Sequence, residues 1–137
     1  MAKTILKKSG GKVAVKLHGT DLNETITLNS DCLVASEALS GTQRANIISM
    51  HWSGAANAFA TITRNSVKIA ILQANSTGEL TFYDTDFTDS IENESDIVVT
   101  SSGEMQVWIV LRKVSGYSSK IETAEFSVYD DTNAVGS

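Results

Sequence analysis

The sequence predicts an all-β chain, an antiparallel β-sandwich of about eight to nine strands with a jelly-roll-like arrangement. Apolar and polar residues alternate with period two through most of the chain, and β-branched and aromatic residues fill many of the alternating positions. Gly, Asn and Ser separate these runs at short intervals, as turn-forming residues do. Many short strands at regular spacing are typical of sandwiches, jelly rolls and barrels.

The first clear strand covers residues 12–18, where Val13, Val15 and Leu17 fall on one face. The longest alternating run covers residues 104–114, and we predict that three of its residues face the core between two sheets: Val107, Ile109 and Leu111. Further strands are predicted at residues 24–28, 46–52, 58–63, 67–73, 79–83, 96–100 and 124–129.

The segments between these strands are interpreted as turns and loops. Residues 63–66 predict a hairpin, with Asn65 suited to a positive φ. Residues 31–39 fit either one or two helical turns, capped by Ser30 or Asp31, or a strand at 32–36, and the sequence leaves both open. Residues 85–95 are acidic and polar, which predicts an exposed loop.

At 137 residues the chain is long enough for one domain with its own core. We expect residues 1–11 to form an extended N-terminal arm and residues 12–137 to form a single sandwich domain. The pair Ile5-Leu6 is flanked by lysines, a pattern that indicates an arm lying along another surface.

Charge is strongly segregated along a chain whose net charge is −5. The opening stretch has no acid and carries five of the eleven basic residues: Lys3, Lys7, Lys8, Lys12 and Lys16. A later stretch has no base and carries eight acids: Glu79, Asp84, Asp86, Asp89, Glu92, Glu94, Asp96 and Glu104. This segregation favours a protein that docks onto others. The predicted interaction residues are Lys3, Ile5, Leu6, Lys7, Lys8, Lys12, Asp84, Asp86 and Asp89.

Three interpretations of the lysine-rich opening stretch stay open. It docks onto an acidic protein neighbour, it protects a sheet edge against unwanted pairing, or it is a nucleic-acid tail. The stretch has no aromatic residue for base stacking, and the net charge weakens affinity for nucleic acid. We therefore expect no nucleic-acid partner.

Nothing in the sequence encodes a reaction, so we expect no enzymatic activity, no cofactor and no metal. His18 and His51 are the only imidazoles, and no nucleophile elbow is present. Cys32 has no disulfide partner and is predicted to be a small core residue, which fits synthesis in a reducing compartment. The run from Asp84 to Asp89 lacks the spacing of an EF-hand and predicts a solvated acidic loop. No apolar stretch is long enough to span a membrane.

Several segments together resemble small virion structural proteins of tailed bacteriophages, particularly marine ones. They are residues 3–8, 13–20, 24–28, 51–52, 61–66 and 111–117, and residues 118–137 have no counterpart. The resemblance implies a head decoration or cement protein that is made in the host cytoplasm, binds the outer surface of the capsid and bridges its subunits. The implied partners are the major capsid protein and neighbouring copies of the chain within a large symmetric assembly. No active site is implied.

Two other classes remain as alternatives. One is a tail, neck or fibre component of the same particle, which composition does not separate from a head protein. The other is a carbohydrate-binding module, which requires that aromatic residues share one exposed face: Trp52, Trp108, Tyr83 and Tyr117.

Overall fold

A computed structural model of the chain describes residues 2–75, 78–82 and 93–119. Within these ranges the chain forms nine strands and no helix, in two antiparallel sheets, which confirms the predicted β-sandwich. The strands are β1 (Lys3–Lys8), β2 (Lys12–Thr20), β3 (Asn23–Ile26), β4 (Glu37–Gly54), β5 (Phe59–Arg64), β6 (Val67–Gln73), β7 (Glu79–Thr81), β8 (Ile97–Ser102) and β9 (Glu104–Ser119).

The five-stranded sheet has the order β1-β2-β9-β4-β7, and the four-stranded sheet has the order β3-β8-β5-β6. Four of the strand pairs are nested in sequence: β2 with β9, β3 with β8, β4 with β7, and β5 with β6. From β2 to β9 the chain is therefore one long antiparallel hairpin whose tip is the β5–β6 turn. Successive nested pairs alternate between the two sheets, from β2–β9 in the five-stranded sheet to β5–β6 in the four-stranded sheet.

The core lies between the sheets and follows the alternation in the sequence. Val107, Ile109 and Leu111 on β9 are fully buried, as predicted. Val13 and Val15 face them from β2, in register with Leu111 and Ile109. The predicted core position of Cys32 is also confirmed, since it is fully buried in the same cluster. Each of the eight strands predicted between residues 12 and 114 overlaps one of β2 to β9.

The N-terminal segment differs from its prediction as an extended arm. Lys3–Lys8 form strand β1, which pairs with β2 at the edge of the five-stranded sheet. A tight turn closes this hairpin, with Ser9 N donating to Lys12 O at 2.9 Å. The register shifts between Ile5 and Lys7. A bulge of this kind inserts a residue and interrupts period-two alternation, which explains why the sequence pattern did not predict the strand.

Residues 31–39 form neither of the two structures considered for them. Residues 28–32 are a turn, and strand β4 begins at Glu37 instead of residue 46. The Asp31 side chain accepts a hydrogen bond from Thr27 N at 2.9 Å, and Glu37 Oε1 accepts one from Val34 N at 3.1 Å. Side chains that bond nearby backbone in this way compete with both helix and sheet.

The hairpin predicted at residues 63–66 is confirmed. Asn65 and Ser66 have φ values of 51° and 64°, as a type I′ turn requires. The strand predicted at 124–129, and most of the acidic loop predicted at 85–95, lie outside the described residues.

Candidate interaction surface

The predicted N-terminal interaction residues divide between the interior and the surface. Lys3 Nζ donates to Thr25 O at 2.8 Å and to Asp31 Oδ2 at 2.7 Å, and the Lys3 and Asp31 side chains are largely buried. Ile5 packs against the core cluster. Lys3 and Ile5 therefore hold β1 onto the sandwich and are not available to a partner in this structure.

The remaining N-terminal residues of the set are exposed: Leu6, Lys7, Lys8 and Lys12. Lys7 and Lys12 come together across the β1–β2 hairpin, where they line a cavity of about 210 Å³ with Ser9. Ala14 and Val110 supply its apolar lining. The structure thus places two predicted lysines around an apolar depression on the outer face of the five-stranded sheet.

The predicted acidic interaction residues Asp84, Asp86 and Asp89 lie outside the described residues. Two acids that follow them, Glu94 and Asp96, have partners elsewhere in the chain. Glu94 Oε2 accepts from Arg44 Nη2 at 2.9 Å, and Asp96 Oδ1 accepts from Leu28 N at 2.9 Å.

A row of side chains crosses the outer face of the five-stranded sheet through Trp108. The register places Lys16 of β2 and His51 of β4 on either side of Trp108. Thr4 of β1 continues the row beyond Lys16, and Glu79 of β7 continues it beyond His51. Trp108 is partly buried among these neighbours. A half-covered aromatic residue among charged groups is the composition found at many protein interfaces.

Opposite charges lie at the two ends of this face. At one end Lys12 and Arg112 are direct cross-strand neighbours, and both are exposed. At the other end Glu104 is 57% exposed, and its Oε2 is 3.0 Å from His18 Nε2. His51 and Glu79 form a similar exposed pair at 3.3 Å.

Trp108, Lys16 and Arg112 were not among the predicted interaction residues. The alternation of residues 12–18 and of residues 104–114 did predict that their polar positions face away from the core. It did not predict that β2 pairs with β9, and this pairing sets those polar positions side by side.

A buried ion pair lies inside one end of the sandwich. Lys113 Nζ is 2.6 Å from Glu37 Oε1, and the two side chains are 2% and 8% exposed. The ammonium also donates to Ser9 O at 2.9 Å and to Cys32 O at 2.7 Å, so its three protons have three acceptors. It lies over the Tyr117 ring, 4.4 Å from the centroid. This geometry joins four segments of the chain and gives each proton of the ammonium an acceptor.

Burial keeps two further side chains at this end, the thiol of Cys32 and the phenol of Tyr117, in their neutral forms. Burial raises the pKa of the Cys32 thiol to about 11, although the charge of Lys113 acts in the opposite direction. Burial also raises the pKa of the Tyr117 phenol, whose hydroxyl donates to Leu28 O. The thiol is therefore neutral near pH 7, and a neutral thiol is a poor nucleophile.

Within the described part of the chain, no group of three or more His, Cys, Asp and Glu side chains is arranged to hold a metal ion. No helix among those residues is long and apolar enough to cross a membrane.

The aromatic residues considered for sugar binding do not share one exposed face. Trp52 is 7% exposed in the core, and its Nε1 donates to Gln73 O at 2.9 Å. Trp108 lies on the opposite face of the same sheet, since its strand neighbours Val107 and Ile109 are buried. Tyr83 lies outside the described residues. The described aromatic residues thus offer no sugar-stacking platform made from Trp52 and Trp108 together.

Comparison of the chain with protein-family models and with curated proteins finds no match.

Proposed function

We propose that the chain is a non-enzymatic structural protein of a tailed-phage virion, a decoration or cement protein that binds the outer surface of the capsid and bridges its subunits. The observation that carries the proposal is the strand order. Nested pairs from β2–β9 to β5–β6, distributed over two sheets, are the arrangement expected of a jelly roll. Viral capsid domains are among the proteins built on that fold.

Because one fold serves many functions, the surface has to support the role as well. The exposed lysines along the β1–β2 margin suit an acidic neighbour, and Leu6 beside them is 52% exposed. Charged groups at such a margin steer association, and an apolar contact adds affinity. The resemblance of several segments to phage virion proteins supports the same role.

In this proposal the protein stabilises the shell by binding only its assembled state. A ligand that binds one state and not the other shifts the equilibrium toward the bound state by mass action. Contacts that span the seam between two capsid subunits are lost when the seam opens, so each bound copy opposes disassembly.

A binding experiment tests the proposal with shells assembled from the major capsid protein of the encoding phage. The purified chain is mixed with empty shells, and the bound fraction is measured by sedimentation. We expect saturable binding that weakens as salt rises, and weaker binding for the triple variant Lys7→Glu, Lys8→Glu and Lys12→Glu. Lys68→Glu, which reverses an exposed lysine on the other sheet, serves as the matched control. Absence of binding to shells, with binding to isolated tails, would instead favour the tail, neck or fibre class.

A further inference from the structure

We propose that the cavity between Lys7 and Lys12, above Ala14 and Val110, recognises one short segment of the partner protein. We call it the β1–β2 cavity. A large apolar side chain of the segment enters the cavity, and a carboxylate two residues away lies between the two lysines. The choice of a polypeptide as the ligand rests on the proposed function, whereas the chemistry of the site follows from the described residues alone.

The β1–β2 cavity exists because a small side chain lies between two larger ones. On the outer face of the sheet, Ala14 of β2 is the direct neighbour of Lys7 on β1 and of Val110 on β9. The single methyl group of Ala14 leaves a depression of about 210 Å³ above it. A water molecule takes up about 30 Å³ in the liquid, so the cavity has room for about seven groups of that size. This space is sufficient for one leucine or phenylalanine side chain.

The walls of the β1–β2 cavity are mostly carbon. Ala14 and Val110 are apolar and partly exposed, and a lysine stem adds methylene groups below its ammonium. The hydroxyl of Ser9 already bonds within the turn, where it accepts from Lys12 N at 3.1 Å and donates to Lys12 O at 3.3 Å. An apolar group in the cavity therefore costs Ser9 no hydrogen bond, and it gains free energy by leaving water.

Two cations border one corner of the β1–β2 cavity. Lys7 pairs directly with Ala14, and Lys12 lies two residues before Ala14 on the same face of β2. Diagonal neighbours of this kind are about 7–8 Å apart, and long lysine stems let both ammonium groups contact one carboxylate. Both lysines are exposed, and neither side chain has a hydrogen bond or an ion pair in the part of the chain that the structure describes. Both ammonium groups are thus available to a ligand.

The spacing of these two parts determines the ligand. In an extended chain, residues two positions apart point the same way and lie about 6.8 Å from each other. Ala14 and Lys12 are themselves two positions apart on β2. An extended segment with an apolar residue and an acidic residue separated by one position therefore matches them. A basic residue at the acidic position would set like charges together, and a neutral one would leave both cations unpaired.

An NMR titration of the isotope-labelled chain tests the site with the capped peptide Gly-Leu-Gly-Glu-Gly. We expect saturable shifts of the Ala14 and Val110 amide signals, with a Kd on the order of millimolar that rises with salt. One buried side chain and one exposed charge pair supply an affinity of that size. Peptides with serine in place of leucine, or glutamine in place of glutamate, should bind at least about fivefold more weakly.

Two variants of the chain test the two parts of the site separately. Ala14→Ile fills the cavity with a residue that strands favour, and it should weaken peptide binding at least about tenfold. The double variant Lys7→Gln and Lys12→Gln removes the charges and should abolish the difference between the glutamate and glutamine peptides. Thr61→Ile, at a partly exposed position on the other sheet, is the matched control and should bind as wild type does. The proposal is overturned if wild type shows no saturable shifts, or if Ala14→Ile binds the peptide as tightly as wild type.

Binding to capsid shells separates a failure of this site from a failure of the proposed function. Weaker shell binding by Ala14→Ile than by Thr61→Ile supports the site. Shells that bind wild type and Ala14→Ile equally show that the partner does not use the cavity, which overturns the site and leaves the virion role standing. Peptide binding without any shell binding contradicts the virion role and supports the chemistry of the site.

Discussion

Lys113 is a buried residue on which several polar contacts converge at one end of the sandwich. Its ammonium binds Glu37 and two backbone carbonyls, and its burial leaves no water to replace them. Removing one partner of a buried ion pair leaves the other charge uncompensated, which is more costly than losing the attraction itself.

We therefore expect Lys113→Met to lower the free energy of unfolding by about 3–5 kcal/mol, measured by urea denaturation. Lys12→Met, at an exposed position, should change it by less than about 0.5 kcal/mol and serves as the control. The double variant Lys113→Met and Glu37→Leu should recover part of the loss, since it removes both charges. Equal stabilities for Lys113→Met and the control would show that the pair contributes nothing to the fold.

Asp31 gives the fold a dependence on acid pH. Burial favours the protonated carboxyl, but hydrogen bonds from Lys3 and Thr27 outweigh it and hold the pKa of Asp31 below its ordinary value of 3.8. Because the pKa is lower in the folded state, the unfolded state binds the proton first as pH falls. The contribution of Asp31 is thus present above about pH 4 and is lost below it.

Asp31→Asn should therefore be less stable than wild type at pH 6 and lose less stability than wild type as pH falls below about 4. Lys3→Met, which removes the donor, should reduce the pH dependence in the same direction. Thermal melts across this range measure both effects. A wild-type acid profile that is unchanged in both variants would exclude this ion pair as its source.

At the scale of single elements, β9 separates the core from the outer face. Ile109 is fully buried, and its neighbour Val110 lies on the other side of the sheet. Ile109→Ala should lower the free energy of unfolding by about 2–5 kcal/mol. Val110→Ala should cost clearly less, because the side chain is only partly covered. Equal costs for the two variants in chemical denaturation would contradict the assignment of faces.

A substitution at Ser66 in the β5–β6 turn is expected to stabilise the fold. Ser66 has a φ of 64°, which glycine adopts without strain. Type I′ turns favour glycine at this position. We expect Ser66→Gly to raise the free energy of unfolding by about 0.5–1 kcal/mol. Ser53→Gly inside strand β4 should have the opposite sign, a loss of about 0.5–1 kcal/mol. A loss for both would show that the turn is not strained.

Most of the strands followed from alternation, as in β2, β5 and β8, where buried residues recur at every second position. Strands β1 and β4 did not follow fully from alternation, for a physical reason. The bulge in β1 interrupts its alternation between Ile5 and Lys7, and β4 has register shifts that divide its 18 residues into shorter runs. The pattern therefore did not predict β1 as a strand, and β4 begins earlier in the structure than the pattern indicated.

The candidate surface was less predictable because it depends on which strands are neighbours. Lys7 and Lys12 were predicted from local charge alone. Trp108 and Arg112 joined them only through the pairing of β2 with β9, which unites residues nearly a hundred positions apart in the sequence. Lys3 was assigned to the surface for the same reason, since its partner Asp31 is a long-range contact.

At the scale of the whole molecule, the distribution of charge is the main feature that bears on function. The chain is acidic overall, yet the outer face of its five-stranded sheet carries Lys7, Lys12, Lys16 and Arg112. A cluster of basic groups at one end of a face that carries Glu104 at its other end gives association a preferred direction, and salt weakens such an association at distances beyond about 8–10 Å.

Cryo-electron microscopy of the intact particle tests the proposed role most directly. We expect density for a nine-stranded sandwich on the outer surface of the capsid, across seams between subunits, with the lysines of the β1–β2 margin facing acidic residues of the shell. Density for the chain in the tail, the neck or a fibre alone, or a particle without the chain, would contradict the assignment to the capsid.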